Sequence, residues 1–142
     1  MIKLKGISHW FGLYSQNQLK SNLMKQHMYN IDVKECLYRG EKFLGEDNKY
    51  EGCVRAVLAE LKAHKGEKCV LDVGCIKIEE IRNEIADVIR KILFSEEAKD
   101  VDLYLAFNSK SQRERLKELT PDLNWIDLGF KEGNRLISTV AD

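Results

Sequence analysis

The residue best placed for chemistry is Asp72. It lies near the end of Lys68-Cys69-Val70-Leu71-Asp72-Val73, a run with little polar alternation, as expected of a strand buried on both faces. The C-terminal ends of such strands are where the sites of α/β proteins gather. A second set of carboxylates, Glu80, Glu84 and Asp87, recurs at helical spacing, with Glu79 beside it and Glu96-Glu97 beyond. On a helix these three acids share one strip, nearly opposite the apolar stripe. Paired carboxylates can hold a divalent metal. An acidic strip can also dock a basic partner, because complementary charge speeds encounter. Lys91 follows Asp87 by four residues, the spacing of an ordinary surface ion pair, so the plain reading is a solvated helix face.

The four cysteines, Cys36, Cys53, Cys69 and Cys75, form no C-x-x-C pair. A zinc ribbon or dithiol redox site is therefore not indicated, and they read as reduced thiols, largely small buried hydrophobes. The histidines are His9, His27 and His64. None stands three or four residues from another histidine or from a cysteine, so no metal site of local spacing can be assembled. A nucleophilic Cys–His pair would have to be brought together by the fold, for instance Cys36 or Cys75 with His9. His64, near a predicted helix C-terminus, is more simply explained by the helix dipole.

Two short stretches are similar to known motifs. Val70-Leu71-Asp72-Val73-Gly74-Cys75 resembles the first motif of S-adenosylmethionine-dependent methyltransferases, in which a strand and a glycine-rich turn pack against the cofactor. The resemblance covers these six residues. The chain departs from the family at Ile76-Lys77-Ile78, where β-branched side chains replace glycines that allow close backbone approach. It departs again at Ala106-Phe107-Asn108, which lacks the acid that would hold ribose hydroxyls. Leu37-Tyr38-Arg39-Gly40 resembles the arginine strand of ADP-ribosyltransferases, yet no Ser-Thr-Ser or Glu-x-Glu pattern accompanies it. Ser138-Thr139 has no glutamate after it. The ordinary reading of Arg39 is an exposed residue at a hairpin turn, and neither stretch supports a cofactor assignment.

Lys110, Arg113, Arg115 and Lys117 make a predicted helix basic enough to meet phosphates at its N-terminus, but Glu114 and Glu118 blunt that charge. Ser8-His9-Trp10-Phe11-Gly12-Leu13-Tyr14 places three aromatics in five residues, which suits a core or a covering of a sheet edge as well as an interface.

The elements that must position these groups follow from periodicity. Residues 2–13 read as a strand, and 16–29 as a helix capped by Ser15. Asp32–Tyr38 and Glu41–Leu44 read as a hairpin around Arg39-Gly40. Helix Glu51–His64 carries Val54, Val57, Leu58 and Leu61 on one stripe, and Gly66 stops it. After strand 68–73, the pattern Ile78, Ile81, Ile85, Val88, Ile89 and Ile92 predicts a helix over 77–94 with an apolar face about 100° wide. Val101–Phe107 is a strand. Ser111-Gln112-Arg113-Glu114 has capping-box spacing and opens a helix that ends before Thr120-Pro121. Trp125–Phe130 and Leu136–Val140 are strands joined by a turn at Lys131–Asn134. The alternation over 67–129 predicts a β-α-β-α-β core with parallel strands, right-handed crossovers and antiparallel edges.

The expected fold is therefore α/β (or α+β): a single domain over 1–142, with a mixed sheet of five to seven strands and helices packed on it. A chain of 142 residues can bury a substantial core. No apolar run approaches the roughly 20 residues a membrane helix needs, and a cytoplasmic protein is expected. The 23 basic and 23 acidic residues cancel, which argues against a dedicated nucleic-acid binder. The split is modest, +4 over residues 1–66 and −4 over 67–142. The expected function is a non-enzymatic protein-binding module, of the kind exemplified by immunity or antitoxin inhibitors. Glu80, Glu84 and Asp87 would face a basic toxin or enzyme, with no cofactor and no metal. The alternative is a small enzyme, a nuclease or transferase, whose acids converge at the C-terminal ends of the central strands around Asp72.

Overall fold

The computed structural model describes residues 28–132 and 135–141, with only the backbone course for 127–132, 140 and 141. The expected strand over 2–13, most of the helix over 16–29 and the aromatic cluster at 8–14 lie outside the described residues. The described elements run β1 (Tyr29–Asp32), α1 (Val33–Leu44), α2 (Lys49–Ala63), β2 (Lys68–Asp72), α3 (Asn83–Leu93), α4 (Glu96–Lys99), β3 (Asp102–Phe107), α5 (Lys110–Leu119), β4 (Asn124–Glu132) and β5 (Arg135–Ala141). Short 3-10 turns at Glu46–Asn48 and Ile78–Glu80 interrupt this order. The fold is α/β, and among the described residues the strands form one mixed five-stranded sheet in the order β1-β2-β3-β5-β4.

Strands β1, β2 and β3 are parallel, in a register that aligns Asp32 with Asp72 and Asp72 with Ala106. Strand β5 pairs antiparallel with both β3 and β4. The expected antiparallel C-terminal edge is thus present. The crossover through α5 does not return to a neighbour of β3, because β5 has inserted between β3 and β4. Successive crossovers that advance in one direction place their helices on one face of a sheet. Accordingly Ile31, Cys69, Leu71, Leu105 and Phe107 from that face join Val57, Leu61, Ile85, Ile89, Ile92 and Leu116 from the helices in one buried cluster.

Two predicted elements are corrected. Residues 32–44 are not a hairpin. Asp32 leaves β1 in an extended conformation and its carboxylate accepts the N–H groups of Lys34 and Glu35, so it caps helix α1. Gly40, read as a turn residue, lies in mid-helix against α2. A Cβ on Gly40 would fall 2.5 Å from the backbone nitrogen of Cys53, and one on Gly52 would fall 2.4 Å from the Cα of Gly40. This glycine is required by the close approach of two backbones, not by a turn.

The continuous helix over 77–94 is also corrected. A 3-10 turn at Ile78–Glu80 is followed by non-helical backbone at Ile81 (φ −79°, ψ 89°) and extended backbone at Arg82 (φ −124°, ψ −173°), and only then does α3 begin. Side chains from α5 capture the loop carbonyls: Gln112 Nε2 donates to Ile76 O at 2.7 Å and Arg115 Nε to Ile81 O at 3.1 Å. β-Branched residues gain little from helical backbone, so these bonds and the burial of Ile76 and Ile81 prevail. At α5 the cap is Ser109 rather than Ser111, and its hydroxyl accepts the Gln112 N–H at 3.2 Å. Among the described residues no helix is long and apolar enough to cross a membrane.

Candidate functional site

The parallel register sets Asp32 and Asp72 side by side at the C-terminal edge of the sheet, on one face. Asp72 is 2% exposed. Its Oδ1 accepts the Gly74 N–H at 2.8 Å, and its Oδ2 meets Arg135 Nη2 at 2.8 Å. Arg135 opens β5, so its side chain reaches across β3, and its Nη1 lies 3.4 Å from Asn30 Oδ1 on β1. Both carboxylate oxygens of Asp72 are engaged by protein groups, which is how a buried charge is held.

The loop after β2 is pinned from the other side by the segment after β3. The Gly74 carbonyl accepts Asn108 Nδ2 at 2.8 Å and Gln112 Nε2 at 3.2 Å, while Gln112 Oε1 accepts the Asn108 N–H at 2.7 Å. A Cβ at position 74 would lie 2.5 Å from Asn108 Oδ1. Where the methyltransferase resemblance implies a cofactor packed on a glycine turn, the Asn108 side chain packs on Gly74. Cys75 is exposed in this loop. The negative charge of Asp32 comes first among the influences that push its thiol pKa up, followed by partial burial and Asp72. The thiol is thus favoured over the thiolate, the opposite of what a nucleophile needs.

The other thiols are buried and free. Burial pushes Cys53 up to about 12 and Cys69 up to about 11, and it also raises Cys36. His9 and His27 lie outside the described residues. His64 is the C-cap residue of α2. It stacks on Tyr29 with ring centroids 3.5 Å apart, and its Nδ1 lies 3.0 Å from Glu67 Oε2. Arg39, expected at a hairpin tip, stands on α1 with Nη1 3.4 Å from Glu60 Oε1 and Nη2 3.5 Å from Cys36 Sγ. Tyr29 donates its hydroxyl to Glu60. That bond, first of all, lowers the Glu60 carboxyl pKa and raises the Tyr29 phenol pKa.

The predicted acidic residues are divided between two elements. Glu80 belongs to the 3-10 turn, whereas Glu84 and Asp87 belong to α3. Around α3, Ile85, Ala86, Val88, Ile89 and Ile92 are buried, leaving Asn83, Glu84, Asp87 and Lys91 as its exposed residues. The partner of Asp87 is Arg90, at 2.9 Å, rather than Lys91. Arg90 also holds Asp122 Oδ1 at 2.8 Å and the Leu119 carbonyl at 2.7 Å. Large apolar side chains are exposed in the segments flanking these acids: Ile78 at 42% and Phe94 at 64%.

Of the basic residues on α5, Arg113 is buried with Nη2 3.3 Å from Glu114, and Arg115 holds Ile81 O and Glu118. A cavity of about 370 Å³ lies near the opposite end of the sheet, lined by Leu61, Lys62, Lys65, Glu96, Lys99 and Asp100 among others. Its lining residues form exposed ion pairs, Lys65–Asp100 at 3.8 Å and Lys99–Glu96 at 3.0 Å. Among the described residues no group of three His, Cys, Asp or Glu side chains is arranged to hold a metal.

Sequence reasoning missed Asn30, Asn108, Gln112 and Arg135, and it placed Asp32 in a strand without a role. One signal was present for Asp32: Asp32-Val33-Lys34-Glu35 has the Asp-x-x-Glu spacing of a helix start. For Arg135 no local signal exists, because its partner is 63 positions away in sequence. No protein-family model, curated protein or solved structure matches the chain.

Proposed function

We propose that this chain is a non-enzymatic protein-binding module that docks on a basic surface of a partner protein through Glu80, Glu84 and Asp87. An immunity-type or antitoxin-type inhibitor that covers a cationic cleft is the form this takes. The observation that supports the reading is the division of α3 into a sealed side and an exposed side that carries Glu84 and Asp87 beside Lys91, with Ile78 and Phe94 exposed in the flanking segments. Acids at a rim accelerate encounter with a basic partner. Apolar side chains beside them supply contact area that can be taken out of water. Arg90 neutralises part of the Asp87 charge, so Glu80 and Glu84 carry most of the steering.

The enzyme reading is supported by the adjacency of Asp32, Asp72 and Cys75 at the strand ends. It is opposed by their bonding. Asp32 caps a helix, Asp72 is held by Arg135 and Gly74, and Cys75 is biased toward the protonated thiol. These bonds fasten the edge of the sheet, which favours a structural role for these groups.

The test is capture from the native cell with the wild-type chain and with the triple variant Glu80→Lys, Glu84→Lys, Asp87→Lys, read by mass spectrometry. A basic protein retained by the wild type and lost by the folded triple variant supports the reading. Retention by both removes this surface from the account.

A further inference from the structure

We draw no further inference here: the strongest candidate, the exposed aromatic side chains of Tyr38 and Phe43 on α1, is apolar surface for which nothing in the structure shows what covers it.

Discussion

The carboxylate of Asp72 on β2 and the guanidinium of Arg135 on β5 meet at 2.8 Å across the intervening strand β3. The two ends of this pair are unequal. Asp72 is 2% exposed, whereas the Arg135 side chain is 43% exposed. Arg135→Met would strand a buried carboxylate with only the Gly74 N–H, at an expected cost of about 3 kcal/mol. Asp72→Asn would leave a guanidinium able to turn into water, at an expected cost of about 1 kcal/mol. Urea unfolding followed by circular dichroism checks the order. Equal costs would mean that the pair is not the anchor described.

The crossing of α1 and α2 leaves no room at Gly40 or Gly52. Alanine is the better helix former by roughly 1 kcal/mol, so on propensity alone each substitution should stabilise. A Cβ at either position falls within 2.5 Å of backbone atoms, and overpacking of this kind costs about 1–3 kcal/mol. Gly40→Ala and Gly52→Ala should therefore each lower the urea midpoint. A rise would show that the helices separate freely.

Cys75 is the exposed thiol of the four, yet Asp32 disfavours its thiolate. At pH 7.5 it should react with iodoacetamide more slowly than free cysteine. Asp32→Asn retains a capping side chain for α1 while removing the charge, so it should accelerate the reaction severalfold. An unchanged rate would mean that the carboxylate does not act on the sulfur.

The Tyr29–Glu60 bond makes stability depend on pH at both ends of the scale. Glu60 has a lowered folded-state pKa. Its contribution is therefore complete above the unfolded glutamate value, near about 4.3, and is lost as pH falls through the folded value. The Tyr29 phenol pKa is raised, so its contribution is complete below about 10 and is lost as pH rises through the folded value. Tyr29→Phe should flatten both limbs of a stability–pH curve, most visibly between about pH 5 and 3. A wild-type acid limb no steeper than that of the variant would contradict the assignment.

The parts of the fold legible in the sequence were those written by burial. The apolar run Cys69-Val70-Leu71 and the stripe Ile85, Val88, Ile89, Ile92 are core in the structure as their periodicity implied. Where a residue type has two physical uses, the pattern misled. Gly40 was read as a turn residue but serves close helix contact. Ile78 and Ile81 continued a helical period, but Ile81 is buried from non-helical backbone and Ile78 is exposed. The candidate edge was only partly legible. Asp72 stood out because strand ends collect functional groups, whereas its partner Arg135, the Asn30 that Arg135 also meets and the Asn108 that holds Gly74 come from distant segments that only the sheet order assembles.

The proposed docking through Glu80, Glu84 and Asp87 is most directly tested by the salt dependence of affinity for the captured partner, measured for the wild type and for the Glu80→Lys, Glu84→Lys, Asp87→Lys variant. Exposed charges are screened within about 8 Å at physiological ionic strength. The account predicts wild-type binding that weakens steadily with added salt and a variant that remains folded, with a slightly lower unfolding midpoint from loss of the Asp87–Arg90 pair, and binds more than tenfold more weakly at low salt. Equal affinities and equal salt slopes for the two proteins would contradict it.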